Sequence, residues 1–190
     1  MTRHRPSPPD PFGYEYFDDP RGEGYRGYHR TATGEGAPQQ WLAARDFCRD
    51  HDIRTAVDVG CAKGFLIAEL LAAGVDAVGY DVSPYALSFT TGLPCHRADL
   101  RDGLPRSAEA VFVLGVLLYL TEAELPAVLA DLRAHTTRFL LVSGYYAGED
   151  QEVPDPLRRI TRPYRWWRDA LADSGFTFEH QGEFFDVHSV

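Results

Sequence analysis

The sequence predicts an α/β fold, a mostly parallel sheet with helices on both faces, and three observations lead there. Short β-branched runs recur at residues 55–59, 77–81, 95–98, 110–114 and 138–142, and helical segments separate most of them. The helical segments carry start and stop signals of their own. After the last of them come FTFEH and EFFDVHSV, two strands separated only by Gln181-Gly182, which reads as a hairpin closing a parallel sheet with an antiparallel strand.

Taken in order, residues 1–13 are Pro-rich and polar and are expected to form a disordered tail. Residues 14–190 read as a single domain that opens with an arm at 14–38. The arm begins YEYFDDPRGEGYRGYHR, with four tyrosines and a phenylalanine, and is too aromatic for an idle linker, so it must pack on something. In GAPQQWLAARDFCRDH the apolar residues Trp41, Ala44, Phe47 and Cys48 share one helical stripe that leads into the first strand. Ser83-Pro84 is an N-cap followed by proline at the first helical position, and Thr121 with Glu124 forms a capping box that opens the helix TEAELPAVLADLRAH. Pro126 sits awkwardly at the end of that helix's first turn. Gly74 and Gly175 stand where helix-ending glycines belong.

Composition narrows the function. At 44% hydrophobic and 25% charged, 190 residues make one domain with a substantial core. A formal net charge of −9 disfavours nucleic-acid and anionic-membrane partners, which are met by clustered Lys and Arg. Cys48, Cys61 and Cys95 are scattered without a CxxC pair, which argues against a disulfide framework and a zinc site and for a reducing cytoplasm. No metal site is expected. There is no apolar run of membrane-spanning length, and MTRHRPSPPDPFG lacks the apolar centre of a signal peptide.

The chemistry gathers at VDVGCAKGFLIAELLAAG, residues 57–74: a buried strand, a glycine-bearing turn and an apolar helix. In a doubly wound sheet, ligands bind beyond the carboxyl ends of the strands at the switch point next to strand one, and this turn is that place. Gly60 and Gly64 let the backbone approach a ligand with helix N–H groups facing it. A pyrophosphate turn wants GxGxxG, whereas GCAKG puts Phe65 at the third glycine position, so a dinucleotide fits poorly. Asp81, ending strand two, stands about 20 residues on, where a carboxylate accepts hydrogen bonds from both ribose hydroxyls. A second acid, Asp99, follows strand three. Lys63, the only lysine in the chain, is expected to point outward into solvent.

The ordered set of Asp58-Val-Gly-Cys-Ala-Lys-Gly64, Asp81 and Asp99 resembles the class I S-adenosylmethionine-dependent methyltransferases, with Ala62 at the middle glycine of their DxGxGxG turn. The resemblance implies a Rossmann-like doubly wound sheet of seven strands in the order 3-2-1-4-5-7-6, the last antiparallel. It implies S-adenosylmethionine as cofactor and S-adenosylhomocysteine as product. Asp58 would face the cofactor amino group. Gly60, Cys61 and Ala62, with Gly64 and Phe65 closing the turn, would run along its methionine part. Asp81 would hold the ribose, Val82 would flank the adenine, Asp99 and Leu100 would hold its edge, and Leu114 and Gly115 would line the methyl-transfer mouth.

GVDAVGYDVSPYALS and the segment DPLRRITRPYRWW are similar to a subgroup of small bacterial methyltransferases with a tyrosine-bearing arm, which implies that Tyr25, Tyr28 and His29 fold over the cofactor. Those relatives carry an EH pair where Leu118-Tyr119 stands here and a histidine where Arg158 stands. His29 is therefore the best candidate base, with Tyr119 as the second catalytic candidate. Tyr145, Tyr146 and Trp166 are candidates for an aromatic wall at the acceptor, and Arg158 and Arg162 for binding an acidic substrate group. No NPPY-type tetrapeptide follows strand four, which disfavours amide methylation. The expected acceptor is a compact small molecule, free or carried on a larger partner, in specialised biosynthesis. Two rivals remain: a cofactor-binding but non-catalytic partner protein, which the missing histidines keep open, and an NAD(P)-dependent oxidoreductase, which the glycine spacing disfavours.

Overall fold

The computed structural model describes residues 10–19, 39–144 and 155–190. Seven strands form one sheet: β1 (Thr55–Val59), β2 (Asp76–Asp81), β3 (Cys95–Arg97), β4 (Ala108–Leu114), β5 (Thr136–Ser143), β6 (Thr177–Gln181) and β7 (Asp186–Ser189). Their order is β3-β2-β1-β4-β5-β7-β6, with β7 antiparallel to both of its neighbours and the other pairings parallel. This is the predicted topology. The chain moves outward from β1 to β3 and then returns to β4 on the other side of β1, which opens a crevice at the carboxyl ends of β1 and β4.

The central strands are apolar on both sides because each side is covered. Val57, Val111, Val113, Leu140 and Val142 face α5 (Leu125–His135) and α6 (Tyr164–Asp173), where Leu129, Leu132, Trp167 and Leu171 are buried. The alternate residues Ala56, Ala77, Ala110, Phe112 and Leu141 face the other layer. There α2 (Gln39–Asp50) buries the predicted stripe of Trp41, Ala44, Phe47 and Cys48, and α3 (Phe65–Ala72) buries Leu66, Ile67 and Leu70. Among the described residues no helix is long and apolar enough to cross a membrane.

The cap signals hold. Ser83 Oγ accepts the Ala86 N–H at 3.0 Å, starting the short helix α4 (Pro84–Leu87). Thr121 and Glu124 bond reciprocally in the capping box, with the Thr121 N–H donating to Glu124 Oε2 at 2.7 Å. Helix α5 begins just after this box, so Pro126 lies in the first two helical positions, where its missing N–H costs nothing.

Two expectations change. The final hairpin does not turn at Gln181-Gly182 alone. Residues 182–185 form the connection, closed by the Gly182 N–H donating to Phe185 O at 3.0 Å, because Phe185 is drawn into the core and β7 cannot begin before Asp186. Residues 10–13, assigned to the tail on composition, are packed. The Ser83 hydroxyl lies 2.6 Å from Phe12 O and 3.0 Å from Asp10 Oδ2, and Phe12 sets its ring edge-on against Tyr119.

Candidate functional site

The turn after β1 owes its shape to left-handed backbone at Gly60, Ala62 and Gly64, with φ of 73°, 46° and 75°. At Gly60 a Cβ would fall 2.3 Å from Val116 Cγ2, so only glycine lets the turn lie against the segment after β4. The Gly60 and Cys61 N–H groups both donate to Tyr80 O, at 2.7 and 3.1 Å, fastening the turn to β2. Ala62 is an alanine held where glycine is preferred. Its N–H donates to Asp81 Oδ2 at 2.8 Å, and its methyl packs with Phe17 and Ala86, which explains how the turn tolerates a side chain at its middle position.

Asp81 ends β2 and is 8% exposed; its other oxygen accepts the Ser83 N–H at 2.8 Å. Burial raises its pKa, and the two N–H bonds work against that rise by favouring the anion. Each carboxylate oxygen has a second lone pair, so the group keeps acceptor capacity toward the cavity it lines. Asp58, 5% exposed, lines the same cavity, and its carboxyl is raised well above the ordinary range by burial, with Cys95 and Asp81 adding to the effect. Asp99 differs. It caps the turn at Leu100–Asp102 by accepting the Arg101 N–H and forks with the Arg101 guanidinium at 2.8 and 2.6 Å, which holds it below the ordinary range and anionic.

A cavity of about 1190 Å³ runs over the carboxyl ends of β1, β2 and β4. It brings together Asp58, Gly60, Ala62, Asp81, Val82, Asp99, Leu100, Leu114, Gly115 and Tyr119 of the predicted set. Cys61, Gly64 and Phe65 lie behind the turn. Cys61 sits over Gly79, Gly64 meets Leu93 and Thr90, and Phe65 packs on Trp41 at 5.1 Å. Arg162 forks with Glu122 at 2.8 and 2.9 Å on the surface, Trp166 stacks edge-on with Trp167, and Arg158 Nε donates to Ile160 O; none of the three lines the cavity. Tyr25, Tyr28, His29, Tyr145 and Tyr146 lie outside the described residues.

Lys63 corrects the expectation of a solvated side chain. It is 7% exposed, and its ammonium lies 2.6 and 2.7 Å from the Asp18 oxygens and 4.5 Å from the centre of the Phe89 ring. Asp18 also accepts the Tyr85 hydroxyl. The pair ties the segment containing α1 (Tyr14–Phe17) to the turn, and Phe12, Tyr16 and Phe17 thereby become cavity walls. Residues 14–19, the described part of the aromatic arm, pack on the site itself.

Sequence reasoning missed a second polar end of the cavity. The Tyr16 and Tyr119 hydroxyls are 2.5 Å apart, and the Tyr119 hydroxyl donates to Asp155 Oδ2 at 2.6 Å. Burial, and then the neighbouring Tyr16 and Asp155, push the Tyr119 phenol far up, so it keeps its proton at neutral pH. Arg159, whose backbone N–H donates to Leu118 O at 2.9 Å beside Tyr119, lines the cavity as well, as do Gln40 and Glu183. The Asp-Pro at 155–156 was visible as a segment, but nothing in it said which residue would face inward. Among the described residues no cluster of three or more His, Cys, Asp or Glu could hold a metal ion.

A doubly wound sheet in this strand order, with one antiparallel strand next to β5 and its cavity over β1, β2 and β4, is the class I S-adenosylmethionine-dependent methyltransferase fold. Solved structures with this fold include magnesium protoporphyrin IX methyltransferase from Synechocystis PCC 6803 with bound S-adenosylhomocysteine (18% identity, TM-score 0.61, covering 80% of each chain). They also include the sugar N-methyltransferase KedS8 from Streptoalloteichus sp. (20%, 0.64, 83% of this chain and 88% of that one). A third is CalS10 from Micromonospora echinaspora with bound S-adenosylmethionine, an amino pentose methyltransferase involved in calicheamicin biosynthesis (18%, 0.61, 83% and 92%). No family model and no curated protein matches the chain.

Proposed function

We propose that the protein transfers the methyl group of S-adenosylmethionine to a small-molecule acceptor, in specialised biosynthesis in the cytoplasm. The observation that carries the reading is the pairing of Asp81 with the left-handed turn. A buried carboxylate, fixed by the Ala62 and Ser83 N–H groups, keeps lone pairs toward a cavity whose next wall is Gly60–Ala62. That is what a ribose attached to an amino acid needs, and the glycine spacing leaves no cradle for a pyrophosphate.

The residues fit the cofactor along its length. Asp81 would take the ribose hydroxyls, with Val82, Ala98 and Leu100 as apolar walls for the adenine and Asp99, held by Arg101, at its edge. Asp58 and the Gly60–Ala62 backbone would meet the amino acid end. When bound, S-adenosylmethionine supplies an electrophilic methyl on a sulfonium centre.

What the chain contributes is alignment of the acceptor and exclusion of water. Leu114, Gly115, Phe12 and Tyr16 wall the space beside Tyr119, where aromatic faces favour positive charge. Tyr119, kept protonated and donating to Asp155, orients the acceptor and is not a base. His29 remains the proposed base, and Arg159 at the polar end takes the anion-binding role considered for Arg158 and Arg162. The sugar N-methyltransferase and the amino pentose methyltransferase of the same fold favour a compact polar acceptor, free or carrier-bound.

The test is incubation with methyl-labelled S-adenosylmethionine and a panel of amino sugars, phenols and carrier-bound hydroxy acids. Label transfer to one class supports the reading. Cofactor binding with no transfer to any of them, together with a stable complex with another protein, would overturn it in favour of a non-catalytic partner.

A further inference from the structure

Two thiols meet beneath the turn that carries the proposed cofactor site. Gly79 in β2 is the register partner of Asp58 on one side and of Cys95 on the other. A Cβ built on Gly79 would fall 2.6 Å from Cys61 Sγ, 2.7 Å from Cys61 Cβ and 3.0 Å from Cys95 Sγ. Both sulfurs thus lie within about 3 Å of one point, filling the space that the missing side chain leaves. Cys95 Sγ also lies 3.2 Å from the position a Cβ on Gly64 would take, so the pair reaches under both ends of the Cys61–Gly64 segment. All three cysteines are free.

We propose that Cys61 and Cys95 form a reversible disulfide, a modification site whose cross-link binds the cofactor turn to β3 and weakens cofactor binding. The affinity half of this inference rests on the function proposed above; the cross-link does not. The two thiols are unequal in the required way. Cys61 is buried; its interaction with Cys95, then burial, raises its pKa, and the same interaction lowers that of Cys95. Cys95 is half-buried, the more accessible residue of the two. Cys48 sits in the α2 core with its thiol pushed up to about 12 by burial and stays inert.

The oxidant is a peroxide. The Cys95 thiolate attacks one oxygen of hydrogen peroxide, the O–O bond breaks and hydroxide leaves, giving a sulfenic acid at Cys95. The Cys61 sulfur then attacks the Cys95 sulfur, the S–S bond forms, the S–O bond breaks, and the Cys61 proton leaves with that oxygen as water. Two thiols lose two electrons in total, and a dithiol returns them by exchange. An S–S bond of about 2.0 Å draws the sulfurs together. It pulls Cys61 toward β3 and, through the adjoining peptide, disturbs the Ala62 N–H bond to Asp81.

The test uses the full chain, as wild type, C48S and C95S, reduced and then treated with hydrogen peroxide. Wild type and C48S should each lose the mass of two hydrogens, yield a Cys61–Cys95 linked peptide and recover with dithiothreitol, while C95S should not cross-link. S-adenosylhomocysteine should bind the oxidised wild type at least about tenfold more weakly than the reduced form, a difference of about 1.4 kcal/mol, with no such change in C95S. Conversion of Cys95 to a sulfinic acid without a linked peptide overturns the pair. A linked peptide with unchanged affinity overturns the effect on the turn. If the reduced protein binds no S-adenosylhomocysteine, the functional reading and the affinity half fall together, and mass alone still decides the cross-link.

Discussion

Removing one partner of the Lys63–Asp18 pair should cost far more than removing a surface salt bridge. The side chains are 7% and 17% exposed and the closest contact is 2.6 Å, so an effective dielectric near 20 gives a gross attraction of about 6 kcal/mol. Desolvating both charges offsets more than half of that, which leaves a coupling of about 2–3 kcal/mol. Asp18→Asn leaves an ammonium beneath the arm with the Phe89 face as its remaining described neighbour and should destabilise by about 3 kcal/mol. Lys63→Met should cost somewhat less, because Asp18 keeps the Tyr85 hydroxyl. In the double variant no buried charge is stranded, and stability should return most of the way to wild type. Urea denaturation of the four proteins closes the cycle. A coupling below about 0.5 kcal/mol, the exposed-pair value, would refute the buried geometry.

Two further perturbations probe the surroundings. In Gly79→Ala the nearest contacts of the new methyl are the two cysteines behind the turn, and it would overlap Cys61 Sγ and Cβ at 2.6 and 2.7 Å. It should cost about 1–3 kcal/mol by overpacking and lower S-adenosylhomocysteine affinity by moving the turn; unchanged affinity by calorimetry would show that the turn does not rest on β2 in this way. His188, paired in register with Leu140, is 1% exposed, with neither ring nitrogen bonded, and burial lowers its pKa from 6.5 to about 4. Below pH ~6.5 the unfolded chain takes a proton that the folded chain refuses, so the stability is present above that pH and is lost as pH falls toward ~4, by on the order of 2 kcal/mol between pH 7 and pH 5. Asp58 and Asp81 slope the other way, so the readout is the difference between wild type and H188Q in urea midpoint across that range. Parallel slopes would contradict a neutral buried imidazole.

Much of the architecture was legible because it is written locally. β-branched runs, an apolar helical stripe, capping residues and helix-ending glycines are short-range signals, and they placed β1, α2 and α4, whereas the strand order on which the cavity depends followed from the family resemblance. The misses have a common cause. Lys63, Asp155 and the hairpin at 182–185 take their positions from contacts 30 or more residues away, which no local pattern records: Lys63 from Asp18, Asp155 from Tyr119, and the loop from the core that receives Phe185. Cys61 shows the same limit from another side. The motif placed it on the turn, and only the absence of a side chain at Gly79 explains why it points away from the cavity. Asp99 was found by its position, but its commitment to Arg101, two residues on, appears only in the structure.

The central claim is that Asp81 and the Gly60–Ala62 turn hold an amino acid joined to a nucleoside. Isothermal titration of the reduced protein with S-adenosylhomocysteine, repeated with Asp81→Ala and with NAD, tests it most directly. The account predicts one site per chain for S-adenosylhomocysteine, a loss of at least about a hundredfold in affinity in Asp81→Ala, corresponding to about 2.7 kcal/mol, and no binding of NAD. Absence of binding to the intact protein, or equal affinity in Asp81→Ala, would contradict it.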